Sequence, residues 1–349
     1  MVTLVWRSDV HLAEEPPVSR VDDWASALLG KLTQVGDMAR NWGASAVLDG
    51  GDLFHIKSPS RTTHGLMQRV AEVHREYPCP TLGNVGNHDV KFSSLRYLSE
   101  SPLGVLFQSG VIKPCFDETE AFFGPVDATS LDVQMYYPGY FEGDPFLIVN
   151  PRVPVVRVVG IPYHGTVYEL DRFTSIKKGR EDYLICMVHC LASPQGGSMF
   201  EGEDIIPYRF LAGLEPDVFC FGHWHKDQGI TEIAPKKWVV NVGSLSRGSI
   251  AQDDMDRNPS CVLLQFEKGK VDLRKVSLTV APPSDIFDLV KVVRQEAQKS
   301  TVDTLVTSLM SVFTMQKGGS LLEDVREMKD IPEQVRERSA GYLERAGAK

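Results

Sequence analysis

An α/β fold is the class this sequence predicts, and three observations predict it. Short apolar runs (2–7, 46–48, 155–161, 183–189, 217–221) have the length and composition of strands buried in a sheet. A segment of helical periodicity separates the first two, as in a βαβ unit. The runs end repeatedly in Gly, Asp, Asn or His, and the carboxyl ends of strands are where open α/β sheets keep their chemistry.

Residues 2–7 (VTLVWR) read as the first strand, followed by Ser8-Asp9-Val10-His11. In extended backbone, residues i and i+2 point the same way, so Asp9 and His11 can reach one ion. Alone, such a pair is more often a strand-end acid and a hydrogen-bonded histidine. Positions 21–42 have helical spacing, with Trp24, Leu28, Leu32 and Val35 on one face, and Gly43 ends them.

The second strand runs through Ala46, Val47 and Leu48 into Asp49-Gly50-Gly51-Asp52. The glycines allow a tight turn that leaves Asp52 at the strand end. It reads as a carboxylate bridging two metal ions, although a lone Asp here would more often be a surface-turn residue. His55 follows, then a polar loop at 56–63 with Pro59. A second helical stripe, Leu66, Val70, Val73 and Tyr77, is broken by Pro78 and Pro80.

Gly86-Asn87-His88-Asp89 closes the next strand. Asn87 offers a neutral carbonyl oxygen to a metal. His88 is adjacent, so it points elsewhere and can face a substrate. Asp89 reads as a group that orients ligands rather than one that binds metal. This tetrapeptide is rarer by chance than Asp-x-His, and a functional meaning is favoured over a simple turn.

Residues 113–157 read as an insertion of short strands and loops over the sheet. Its aromatics (Phe122, Phe123, Tyr136, Tyr137, Tyr140, Phe141) suit a small patch pinning the loop, or stacking on bases. A strand at 155–161 leads to His164, equally a substrate contact or a structural histidine. The apolar strand 183–189 ends in His189, whose imidazole needs a partner such as a metal. The strand 217–221 leads to Gly222-His223-Trp224-His225, whose two histidines can serve adjacent metals. Hairpins follow at 230–242 and 261–278. Pro282-Pro283 marks a boundary between a domain at 1–281 and a helical extension at 282–349, capped by Ser284 and suited to docking on a partner.

Composition sets limits. The chain has 349 residues, 42% hydrophobic and 24% charged, with net charge -9. That balance disfavours strong unaided binding to a polyanion, although two bound divalent cations would add about four positive charges where a phosphate sits. Six cysteines show no Cys-x-x-Cys pair. Cys186, Cys190 and Cys220 lie in apolar runs, as buried thiols in a reducing compartment do. Residues 1–6 are too short an apolar run for a signal peptide, and no run is long enough to span a membrane. A cytoplasmic location, the host's if the gene is viral, is therefore expected. There is no Gly-x-x-x-x-Gly-Lys-Ser/Thr loop, so any linked nucleotide hydrolysis would belong to a partner.

Asp9-x-His11, Gly51-Asp52, Gly86-Asn87-His88-Asp89, His189 and Gly222-His223-x-His225, in that order and each after a strand, resemble the calcineurin-like metallophosphoesterases. The resemblance covers about residues 1–250 and implies a two-sheet αββα sandwich. It implies one metal on Asp9, His11, Asp52 and His225, and another on Asp52, Asn87, His189 and His223. Mixed nitrogen and oxygen donors suit manganese, iron or zinc over calcium, and the resemblance favours Mn2+. Ions about 3.5–4 Å apart would activate a hydroxide for in-line attack on phosphorus, with His88 as general acid.

A narrower resemblance lies in Gly51-Asp-Leu-Phe-His-Ile-Lys-Ser-Pro-Ser-Arg-Thr-Thr63. It is similar to the nuclease subunit of double-strand-break repair nuclease–ATPase complexes, the SbcD type, including phage recombination nucleases. That resemblance implies DNA as substrate, His55 as an assistant to the reaction, an SbcC-type coiled-coil ATPase as partner, and a homodimer through 64–77 and 95–107. The large capping domain of many members is not recognisable after His225, and the 113–157 insertion is unfamiliar. A phosphatase or small-molecule phosphodiesterase with the same site is the alternative, and a non-catalytic scaffold is disfavoured because every ligand position carries a competent side chain.

Overall fold

The computed structural model describes residues 1–55, 62–137, 146, 148–198 and 202–288, with 325–326, 333 and 336–340 beyond them. The chain divides into two compact units, Met1–Phe287 and Asp288–Lys349. Most of the expected helical extension lies outside the described residues.

The chain opens with β1 (Val2–Arg7), α1 (Trp24–Asn41), β2 (Ala46–Asp49), α2 (His64–Arg75), β3 (Thr81–Gly83), α3 (Pro102–Gln108) and β4 (Lys113–Pro114). It continues through β5 (Ala121–Pro125), β6 (Val133–Tyr136), β7 (Val156–Ile161), α4 (Leu170–Thr174) and β8 (Tyr183–His189). Short strands β9 (Ala192–Ser193), β10 (Gly197–Ser198) and β11 (Asp204–Pro207) precede α5 (Tyr208–Ala212) and β12 (Val218–Gly222). Last come β13 (Asp227–Ala234), β14 (Lys237–Val242), α6 (Gln252–Asp256), β15 (Ser260–Glu267), β16 (Lys270–Ser277) and α7 (Pro283–Ile286).

Two large sheets result. The first has the order β16-β15-β1-β2-β3-β4, the second β13-β14-β12-β8-β7-β5-β6, and β10-β11-β9 make a small third. β1, β2 and β3 are parallel neighbours, as are β7, β8, β12 and β14. Alternation along the strands builds the layers. Val2, Leu4 and Trp6 of β1 face the second sheet and pack with Ile185, Met187, Val218 and Cys220. Val5 and Val47 point the other way, under Leu28, Leu32 and Val35 of α1 and Val70 of α2. On the far side, Cys186, Val188, Phe219 and Phe221 pack against Phe173 of α4 and Leu211 of α5. The order is helix, sheet, sheet, helix, the αββα sandwich that the motifs imply. Each fully buried Leu or Val in these layers contributes about 1.5–3 kcal/mol.

Local signals set the element ends. Asp23 caps α1 by accepting the Ser26 N–H, and Gly43, at φ 57°, turns the chain out of it. Thr63 caps α2 by accepting from Leu66 N–H. α2 stops at Arg75, short of the Tyr77 to which the apolar stripe extends. A buried ion pair, Arg7 to Asp49 at 2.8 Å, ties β1 to β2, and Arg7 also donates to His74 Nε2 at 2.7 Å, fixing α2 on the sheet.

Two expectations need correction. Of residues 113–157, the described strands β5 and β6 do not lie over the sheet. β5 pairs antiparallel with β7 and β6 with β5, so they extend the second sheet at its edge. Their aromatics serve the core there, with Phe123, Tyr136 and Tyr137 buried, while Tyr140 and Phe141 lie outside the described residues. Ser284 is not a cap: it sits inside α7, whose N-cap is Pro282. The cysteines are all free and, Cys79 apart, buried, and no described helix is long and apolar enough to cross a membrane.

Candidate metal centre

Both sheets deliver their parallel strands to one rim. Asp9 and His11 follow β1, Asp52 follows β2, Asn87 and His88 follow β3, His189 closes β8, and His223 follows β12. The loops are stitched together by backbone hydrogen bonds: Asp9 N–H to Gly51 O at 3.1 Å, His11 N–H to Asp52 O at 2.9 Å, and Leu12 N–H to Leu53 O at 2.8 Å. Backbone strain concentrates here. Asp9, His11, Asp52 and His223 are non-glycine residues with φ of 55°, 52°, 54° and 86°. Such conformations cost about 1–3 kcal/mol each and persist where packing dictates them, typically at functional sites.

Among the described residues three groups have ligand atoms within 4.8 Å of one another: Asp9, His11 and His225 first, Asp52, His189 and His223 second, and His11, His55 and His88 beside them. Asn87 Oδ1 lies 3.3 Å from His189 Nε2 and so joins the second group. Asp52 sits between the first two. Its Oδ1 accepts the His88 N–H at 2.7 Å, while Oδ2 is buried without a hydrogen-bond partner. That oxygen stands 3.7 Å from His11 Nε2 and 3.4 Å from His189 Nε2.

The donor set fits a pair of divalent cations. A buried carboxylate oxygen with no donor calls for a cation. His11 Nε2 and His225 Nε2 approach to 2.8 Å, two imidazole nitrogens aimed at one point. His189 Nδ1–H donates to Gly50 O at 2.8 Å, which fixes the tautomer whose Nε2 lone pair is free to ligate. Burial holds His11 well below its usual pKa, against the pull of Asp52, so its ring is neutral at pH 7. Burial would lower His189 too, but the Asp52 charge outweighs it and raises His189 to about 9. Burial raises Asp52, yet the charge of the neighbouring His189 holds it below the ordinary carboxylate range. Cation binding would therefore displace a proton from this pair.

Close approach makes the geometry possible. Gly51, at φ 100°, passes so near that a Cβ would lie 2.6 Å from Gly86 N. Asp89 locks the two loops together: its carboxylate accepts from Asp52 N–H at 2.7 Å, Gly86 N–H at 2.9 Å and Phe54 N–H at 3.3 Å. It orients the loop that bears Asp52.

His88 and His55 stand beside the metal groups, with rings stacked at 18° and centroids 5.1 Å apart. His88 Nδ1–H donates to the His55 carbonyl at 2.9 Å, which presents Nε2 outward. Both rings, with those of His11 and His225, line an open cavity of about 430 Å³, whose other walls include Trp24, Pro16, Glu15 and Asp254. The His164 ring takes part in backbone hydrogen bonds to Pro162 O and from Glu169 N–H.

Sequence reasoning missed Glu203. Its Oε1 lies 2.9 Å from His223 Nε2 and accepts from Tyr168 OH at 2.9 Å. Burial raises the Glu203 pKa, but the His223 contact more than offsets it and holds the group below its usual range. No motif marks it, because it reaches His223 by tertiary packing alone.

The family model described as calcineurin-like phosphoesterase matches residues 4–227. No curated protein matches the sequence. Among solved structures, an archaeal phosphodiesterase is similar at 12% identity over 79% of this chain and 100% of its own, with a TM-score of 0.36. A dimetal phosphatase from Danio rerio is similar at 11% identity over 80% and 99%, TM-score 0.42. The purple acid phosphatase PPD1 from yellow lupin (Lupinus luteus) seeds is similar at 14% identity over 79% and 51%, TM-score 0.44.

Proposed function

Because the chain belongs to the calcineurin-like phosphoesterases, hydrolases of phosphoester bonds, we propose that it is a metal-dependent DNA nuclease. The observation that carries this reading is the pairing of His88 with His55 at the mouth of an open cavity. Asp9, His11, Asp52 and His225 would hold one cation, and Asp52, Asn87, His189 and His223 the other. When bound, the pair supplies a lowered pKa for an attacking water and charge neutralisation for phosphate oxygens. Mixed nitrogen and oxygen donors suit manganese, iron or zinc, and the family resemblance favours manganese.

The chain's own groups do the rest. His88, anchored through Nδ1, turns Nε2 to the cavity and delivers a proton to the leaving oxygen. His55 supports the His88 ring by stacking and by its carbonyl. Asp89 keeps Asp52 in place through the backbone. The strand-break chemistry would be coupled to a coiled-coil ATPase, with 282–349 as the docking segment. Copurification of that partner with the full chain, and its loss on removal of the segment, tests this.

A second reading, a small-molecule phosphodiesterase or phosphatase, is favoured by the acidic residues Glu15 and Asp254 in the cavity lining and by the net charge of -9. One experiment separates the readings. Purified protein with Mn2+ is offered linear DNA and a chromogenic phosphodiester beside its His88→Ala form. DNA cleavage that disappears in the variant supports the nuclease. Hydrolysis of the small ester with DNA left intact supports the second reading.

A further inference from the structure

A second cavity, of about 230 Å³, lies along α1 and the segments that follow β14 and β16. None of its described lining residues lines the metal-site cavity. Three cationic side chains border it, Arg20, Lys31 and Arg247, against one described carboxylate, Asp22. Arg20 and Asp22 close on each other, Nε to Oδ1 at 2.7 Å and Nη2 to Oδ2 at 2.6 Å. That leaves Lys31, 5% exposed, and Arg247, 2% exposed.

Neither of these two has a carboxylate within 4.0 Å among the described residues. Lys31 Nζ donates to the Leu245 carbonyl at 3.0 Å, and Arg247 Nη2 to the Ala281 carbonyl at 2.5 Å. Arg247 Nε is buried with no hydrogen-bond partner among the described residues. Buried Lys and Arg are rare unless an anion accompanies them. Burial, followed by the nearby charges of Arg20, Arg247 and Arg257, pushes the Lys31 ammonium down to about 7.

We propose that this cavity is an oxyanion site, separate from the metal centre, in which Lys31 and Arg247 bind a phosphate group. Two cationic side chains bordering one recess match the charge of a dianionic phosphate. The site has a mechanical link to the metal centre. Lys31 holds Leu245 O, and Arg20 Nη1 holds Arg247 O at 2.6 Å. The same loop donates Leu245 N–H to Ser8 O at 2.9 Å and Ser246 N–H to Asp9 O at 3.2 Å. A bound phosphate therefore braces the loop against which Asp9 rests. The inference does not depend on DNA being the substrate.

Gly30 supplies a clean test. It borders the same cavity on the exposed side of α1, and a Cβ there meets nothing within 4 Å. Gly30→Asp would put a carboxylate beside the cations while raising helix propensity. Protein treated with EDTA is dialysed against radiolabelled inorganic phosphate, so that binding on metal ions does not contribute. The wild type should bind phosphate, Lys31→Met should not, and Gly30→Asp should bind at least about tenfold more weakly, equal to about 1.4 kcal/mol. Should Lys31→Met fail to fold, Gly30→Asp decides alone. No binding by the EDTA-treated wild type, or binding unchanged in Gly30→Asp, would overturn the proposal. A 5′-phosphorylated oligonucleotide that displaces the label identifies a nucleic-acid phosphate as the occupant; failure to displace it identifies a free anion.

Discussion

Gly86→Ala puts the metal-centre geometry to a quantitative test. The loop after β3 runs against Asp52 so closely that a Cβ on Gly86 would lie 2.5 Å from Asp52 N and 2.6 Å from its Cγ. Ordinary contact begins near 3.4 Å, so Cγ must retreat by about 0.8 Å and Oδ1, the nearest carboxyl atom, by more. The carboxyl cannot retreat freely, because Oδ1 is held by His88 N–H and the backbone by Asp89. A shift near 1 Å in an active group typically costs about 100-fold in rate, or about 2.7 kcal/mol. Overpacking adds about 1–3 kcal/mol of lost stability. The assay is Mn2+ titration by calorimetry together with hydrolysis of a chromogenic phosphodiester, on protein shown to be folded by circular dichroism. Gly65→Ala is the control, since its Cβ would meet only Thr63 Oγ1, at 3.6 Å. A folded Gly86→Ala enzyme with wild-type metal affinity and turnover would refute the claim that Asp52 is positioned as the shared ligand.

His88→Ala should lower turnover by about 100-fold or more while the metal content measured by atomic absorption stays at the wild-type level; Asp52→Ala should lose both. Glu203→Gln should weaken metal binding by about 10–100-fold through His223, and unchanged affinity in calorimetry would reduce Glu203 to a bystander. Stability should also depend on pH through His74, a residue far from the chemistry. Burial, then the Arg7 charge, holds its imidazole at about 3, against about 6.5 in the unfolded chain. The unfolded chain therefore takes up the proton first as pH falls, and stability, full above about 6.5, declines toward pH 3 by up to about 1.4 kcal/mol per unit. Urea denaturation of His74→Gln, which keeps an acceptor for Arg7, should show a shallower acid slope; an identical slope would remove His74 from the account.

Much of the site is legible in one dimension because strands have a period of two and end abruptly. A glycine after an apolar run marks a turn, and an Asp, Asn or His beyond it lies at the sheet rim. That logic located Asp52, Asn87, His88, His189, His223 and His225 without any knowledge of how the strands pair. Helix periodicity did the same for α1, whose Trp24, Leu28, Leu32 and Val35 are buried as a stripe. The 113–157 segment resisted because the edge strand β6 and β5 beside it gain their identity from the neighbours they pair with, and Arg157 opposite Phe122 leaves no local mark.

What the sequence determined by itself is the roster of reactive side chains and the class of fold that carries them, since both follow from spacing along a few residues. Only the tertiary structure decided that Asp52 Oδ2 is, among the described residues, left without a donor, that Glu203 braces His223, and that Lys31 and Arg247 border one recess with no described carboxylate within 4.0 Å of either. Those facts depend on which remote loops touch, and contact between residues far apart in the chain is set by packing of the whole core rather than by any local run of residues.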